Sequence, residues 1–190
     1  MPYDIMPAKS EHGAANILFR GVMNAGETFT VGDLVFINAD GEVQQFPADG
    51  TKALIADITG TALICGVAAN PGVDPSTGTA FTDPRTGAAY ATGAQILFWP
   101  ADHQTLFRTN NVISAVNTPV TPTGTMVGED FQLTFDNTAG VNTWCIETTA
   151  AVQGTDVRAV IHEVLDARGR PISATDTTTG VWVVFEIKTT

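Results

Sequence analysis

Charge is scarce in this chain: Asp, Glu, Lys and Arg make up 15% of its 190 residues, against about a quarter in soluble globular domains. Basic residues are the scarcer kind, nine Lys and Arg against twenty Asp and Glu, which leaves a formal net charge of −11. Only Arg168 and Arg170 lie close together in the sequence. No basic stripe exists for a phosphate backbone to follow, and an anionic field repels nucleic acid and anionic lipid alike. Nucleic-acid and membrane-surface partners are therefore not expected. Long apolar runs are missing too, since none approaches the ~20 residues of a membrane-spanning helix. No basic segment followed by an apolar run opens the sequence as a Sec signal would, so synthesis and folding in a cytoplasm are expected.

Cysteine and histidine are equally sparse. Cys65 and Cys145 each lie in an apolar, strand-like run. They read as buried, reduced thiols acting as small hydrophobes. A disulfide between them stays open, because sequence does not place the two Cβ atoms. His12, His103 and His162 are the only histidines, and no two stand at a metal-ligand spacing. Ser10, Ser76, Ser114 and Ser173 include none in a nucleophile-elbow context. No phosphate-cradling glycine motif occurs. Asp102-His103 is half a catalytic pair on paper only, since adjacent residues rarely orient one another as base and orienter do. Glu129-Asp130 is the one adjacent acidic pair, and nothing selects a carboxylate pair facing one cleft. No cofactor, metal, small-molecule substrate or catalytic constellation is expected.

What the chain does have is short apolar runs divided by turn residues, with 44% hydrophobic residues. That share excludes disorder. Residues 1–16 carry Pro2 and Pro7 without periodicity and read as an extended arm, ordered only if something holds it. From Ile17 the runs are β-branched and aromatic, as in Leu34-Val35-Phe36-Ile37 and Val181-Trp182-Val183-Val184-Phe185-Glu186-Ile187. Asp40-Gly41 between two such runs signals a hairpin. Phe131, Leu133 and Phe135 alternate cleanly onto one face, and Thr143-Trp144-Cys145-Ile146-Glu147 is expected to pair back on them. Val157, Ala159, Ile161 and Leu165 are expected on the inner side of another strand, with Arg158, His162 and Asp166 outside. Trp99, Trp144 and Trp182 sit in strand-like runs and read as core rather than as a sugar-stacking platform.

Residues 70–93 are different, rich in Pro, Gly, Thr and Asp. Asp74-Pro75-Ser76-Thr77-Gly78 and Asp83-Pro84-Arg85-Thr86-Gly87 are near-copies. Each has the makings of a type I turn, so the pair suggests a protruding β-loop. A calcium site lacks the oxygen-ligand density such loops need. The expected architecture is all-β, a small β-barrel, β-tulip or sandwich. A single domain would span 17–190, with an N-terminal arm and the loop inserted at 70–93.

The stretch Ala25-Gly26-Glu27-Thr28-Phe29-Thr30-Val31-Gly32-Asp33-Leu34-Val35 resembles the opening of many capsid decoration, or cement, proteins of tailed phages. The Asp40-Gly41 turn and the Gly66-Val67-Ala68 strand follow in the same order. The run Ile96-Leu97-Phe98-Trp99-Pro100-Ala101-Asp102, with Leu106-Phe107-Arg108 and Val127-Gly128, is similar to the central segment of that family. The resemblance spans about residues 17–187 and implies a non-enzymatic β protein of the virion, made in the host cytoplasm. Such a protein joins the outer surface of an expanded icosahedral shell, commonly as a homotrimer, and clamps neighbouring major capsid protein subunits. Partner contacts are expected from the arm, at Pro2, Tyr3, Ile5 and Pro7, and from the loop, at Asp74, Pro75, Asp83, Pro84 and Arg85. Two other expectations stand beside it: a phage tail, spike or fibre component, and a carbohydrate-binding β-sandwich.

Overall fold

A computed structural model describes residues 5–10, 18–24, 31–46, 65–69, 95–102, 105–115, 118–136, 143–149 and 156–188. Its strands are β1 (Met6–Ser10), β2 (Phe19–Met23), β3 (Leu34–Ile37), β4 (Glu42–Gln45), β5 (Cys65–Ala68), β6 (Gln95–Pro100), β7 (Thr105–Thr109), β8 (Val112–Ala115), β9 (Thr118–Pro119), β10 (Asp130–Asp136), β11 (Thr143–Glu147), β12 (Arg158–Leu165) and β13 (Trp182–Lys188). The fold is all-β, and the one helical piece among the described residues is a 3-10 turn at Gly124–Met126.

Strands β2 to β6 close into a barrel in the order β2-β4-β3-β5-β6. Its lumen is a small core of Met23, Val35, Val43, Ala68, Ile96 and Phe98. Successive side chains of a strand point to opposite faces. Leu34 and Phe36 therefore point out of the barrel while Val35 points in, and all three are buried. A barrel of this size has room only for its own side chains. A Cβ on Gly66 would overlap the Trp99 carbonyl oxygen and stand 2.7 Å from Phe98 Cδ2, so only glycine fits there. The β3–β4 hairpin forms as expected, with Val35 opposite Gln45 and Ile37 opposite Val43. Its turn is secured by Asn38, whose Oδ1 accepts from the Asp40 and Glu42 amides at 3.0 and 2.9 Å. Gly41 takes the left-handed conformation at φ 81°.

The other strands form an eight-stranded sheet in the order β1-β7-β13-β12-β10-β11-β8-β9. One face of this sheet packs against the outside of the barrel. Phe46 makes the join, with its ring 5.0 Å from Phe36 and 6.2 Å from Trp144, which in turn lies 5.4 Å from Phe135. The main core thus draws on both units, Leu34, Phe36 and Val67 from the barrel and Phe107, Leu133, Ile161 and Phe185 from the sheet. Phe131-Gln132-Leu133-Thr134-Phe135 alternates as expected, and Phe135 lies opposite Trp144 on β11. The far face of the sheet is buried as well at Leu106, Ile113, Cys145 and Val184.

Three expectations change. The segment read as an extended arm, ordered only if something holds it, contains β1, which pairs antiparallel with β7 at the edge of the sheet and is held there. Its Pro7 suits an edge strand, where a missing N–H can face away from the ladder. On β12, Val164 and not Leu165 faces the core: Val164 is fully buried and Leu165 only partly. The cause is a bulge between Ile161 and Glu163, where His162 is the extra residue opposite β13. One inserted residue shifts a period-two pattern by one and exchanges the faces beyond it. Within residues 116–125, read as loop, Thr118–Pro119 pairs with β8 and Gly124–Met126 makes the 3-10 turn.

Candidate docking surfaces

Of the residues expected to meet a partner, the structure describes Ile5 and Pro7. Ile5 is fully buried in the main core. Pro7 is half-buried and stands opposite Phe107 in the β1–β7 ladder. Ile5 is thus withdrawn from any partner, while Pro7 keeps part of its surface at the edge of the sheet. Pro2, Tyr3, Asp74, Pro75, Asp83, Pro84 and Arg85, with the whole 70–93 insertion, lie outside the described residues, as do His12 and His103.

The reactive groups that are described sit in quiet surroundings. Cys145 is a free thiol, fully buried. Burial, and then the nearby Asp136 charge, push it up to about 12. The Asn111 amide donates to its sulfur at 2.8 Å. A thiol so far from ionising is neither a nucleophile nor a ready metal ligand. His162, thrown outward by the bulge, has Nε2 at 3.3 Å from Glu186 Oε2, and Lys188 Nζ lies 3.8 Å from the same oxygen. Among the described residues no hydroxyl or thiol bonds to the other ring nitrogen of His162. Among the described residues no group of three or more His, Cys, Asp or Glu is placed to hold a metal. The tryptophans offer no open platform: Trp144 is buried, Trp99 packs against the main core, and Arg108 lies over the Trp182 ring at 5.3 Å.

Among the described residues two surfaces remain. The first is on the barrel, where β2 and the residue before it carry three of the four exposed large apolar side chains described: Leu18, Phe19 and Val22, with Arg20 among them. Phe19 also stacks edge-on against Phe98, at 6.0 Å. A patch of so few residues is ordinary for a protein surface.

The second is the connection between β12 and β13. Antiparallel neighbours are usually joined by two to five residues. Here sixteen residues, 166–181, separate Leu165 from its register partner Trp182. A loop of that length with closed ends is an Ω-loop. It begins with a pinched turn. Asp166 Oδ1 accepts from the Arg168 and Arg170 amides at 2.8 and 2.9 Å. Its Oδ2 takes two bonds from the Arg170 guanidinium, at 3.0 and 2.8 Å. These bonds, from the Arg170 amide first and then its side chain, hold the Asp166 carboxyl below the usual carboxylate range. Gly169 supplies the left-handed step at φ 76°. The chain then returns along β12, with the Ile172 amide on the Val164 carbonyl at 2.8 Å, and the partly buried Ile172 side chain reaches the main core.

The rest of the loop lies on residues 121–126. The Gly180 amide donates to the Pro122 carbonyl at 2.7 Å, and Thr179 bridges to Thr123. Ser173 and Asp176 carbonyls press on Gly124, where a Cβ would overlap the first and stand 2.9 Å from the second. The outer side is made of hydroxyls already tied to neighbours. Ser173 bonds Thr175 at 3.2 Å, Thr123 bonds Thr125 at 2.8 Å, and the Asp176 carboxylate accepts from the Thr178 hydroxyl and amide. The Thr178 hydroxyl, then its amide, lower the pKa of Asp176. No partner contact was expected from this loop. The signal for the loop was the distance between two strong strands, with Pro171, three consecutive threonines and Gly180 between them. Set against protein-family models, curated proteins and solved structures, the chain finds no match in any of the three.

Proposed function

We propose that this chain is a structural virion protein that binds the outer surface of an expanded icosahedral capsid. There it clamps neighbouring major capsid protein subunits, as a homotrimer and without catalytic activity. The observation that carries the reading is where the resembling residues fall. Gly32, Gly41 and Gly128 all take positive φ. Asp33 is buried and accepts from Gln45 Nε2 at 2.9 Å, Gly66 has no room for a Cβ, and Phe107 is fully buried. The shared residues are thus ones the backbone or the packing of this barrel and sheet demands, which favours a kinship of fold over a chance likeness of composition. A net charge of −11 suits a place outside a shell that encloses nucleic acid. Low charge density suits a protein that buries surface against a lattice, since few charges need desolvation. Binding only the expanded lattice stabilises that state by mass action.

The test is co-sedimentation of purified protein with expanded, DNA-free heads of the virus that encodes it, prepared with its gene deleted. Saturable binding, with heads that then survive heat or low salt better, is the expected result. No binding, or binding without a gain in shell stability, refutes the reading.

A further inference from the structure

We infer that the Ω-loop of residues 166–181, seated on residues 121–126, is the surface that docks on the shell, and that Arg168 meets a carboxylate of the capsid protein there. The inference rests on the capsid reading above and adds the face and the partner chemistry.

Four observations converge on this loop. It is far longer than its two neighbouring strands require, yet it is tied down along its length by the Val164, Asp166, Pro122 and Thr123 contacts. A long loop held in one conformation loses little entropy on binding. Its outer side carries hydroxyls on β-branched stems, which are stiff and partly pre-bonded. They make and accept hydrogen bonds, and among them stands the Asp176 carboxylate, already bonded to Thr178.

The loop is also neutral within itself. Two arginines balance two aspartates within residues 166–181, while the whole carries −11. An acidic partner meets no net repulsion from this segment. Finally, the two arginines are not equivalent. Arg170 is committed to Asp166 through two bonds. The Arg168 guanidinium is exposed and makes no bond among the described residues, while its backbone is held by Asp166. An arginine fork pre-aimed on a fixed turn matches a carboxylate in a bidentate fashion.

The experiment measures binding to the same DNA-free expanded heads for Arg168→Glu, Arg168→Lys and, as a control on the other surface, Arg20→Glu. Circular dichroism and melting temperature check that each variant is folded, which is expected because both arginines are exposed. A charge-assisted contact turned into a repulsion should weaken binding ten- to a hundred-fold for Arg168→Glu. Arg168→Lys should fall between that variant and wild type, and Arg20→Glu should bind within two-fold of wild type. If Arg168→Glu binds as wild type does, the docking face is elsewhere and this inference is wrong while the capsid reading stands. Loss of binding in Arg20→Glu alone would move the face to β2. If the wild-type protein binds no heads, the capsid reading fails and this inference falls with it.

Discussion

Gly124→Ala tests the seat of the Ω-loop. The residue begins the 3-10 turn under the loop, and its backbone is not among those with positive φ, so alanine meets no dihedral objection there. Space is the objection. The new methyl would overlap the Ser173 carbonyl oxygen and stand 2.9 Å from that of Asp176. Non-bonded carbons settle at about 3.5–4.0 Å, so the loop must lift by half an ångström or more. Overpacking of this kind costs about 1–3 kcal/mol. Lifting also stretches the Gly180–Pro122 hydrogen bond of 2.7 Å, which contributes about 1 kcal/mol. The expected loss is about 3 kcal/mol, or roughly 6–12 °C in Tm for a chain of this size. Urea unfolding followed by circular dichroism measures the first, and hydrogen exchange at the Gly180 amide reports the lift directly. Gly128→Ala is the contrast: nothing lies within 4 Å of its would-be Cβ but its φ is +90°, so about 1–2 kcal/mol of backbone strain is expected with Gly180 protection intact. If Gly124→Ala unfolds within 0.5 kcal/mol of wild type and Gly180 stays protected, the loop is not seated as argued.

Two further outcomes follow from the cores. Cys145 should resist thiol reagents in the native protein at pH 8 and react at once in denaturant. Its pKa is raised from 9.0 to about 12 in the fold. The stability this gives is therefore fully present below pH 9 and lost as pH climbs toward 12, because the unfolded chain ionises first, by at most about 1.4 kcal/mol at each pH unit. A urea midpoint that stays flat from pH 8 to 10.5 in wild type, or falls equally in Cys145→Ala, refutes that account. Trp144 joins barrel and sheet through Phe46 and Phe135, and its Nε1 has no hydrogen-bond partner among the described residues. Trp144→Ala should cost about 3–5 kcal/mol. Trp144→Phe should cost less than half of that, since it discards an unpaired donor along with the volume. Equal losses in the two variants, measured by denaturant unfolding, would mean the indole N–H is satisfied.

Much of the secondary structure was legible locally. The alternation of Phe131, Leu133 and Phe135, the Asp40-Gly41 turn and the β-branched run before Ile187 each announce themselves within a few residues, because period-two burial and turn dihedrals are local properties. The bulge at His162 was not legible. An extra residue shows only against the register of its partner β13, and it decided that Val164, not Leu165, reached the core. Nor was the candidate docking surface, since the loop owes its shape to residues 121–126, forty and more positions upstream, and to a glycine there whose missing Cβ makes room for it.

The sequence alone thus determined an all-β chain of acidic, sparsely charged composition with turns at glycines such as Gly41, for each of these follows from the residue types and their immediate neighbours. Tertiary structure alone decided that the strands divide into a closed barrel and an eight-stranded sheet, and that Ile5 belongs to the core and not to an arm. The reason is physical: alternation tells a strand which side to bury but not which strand to lie beside, and strands such as β3 and β13 are buried on both faces. The choice of partner strand is therefore made by the packing of Phe46, Trp144 and their neighbours across the whole chain.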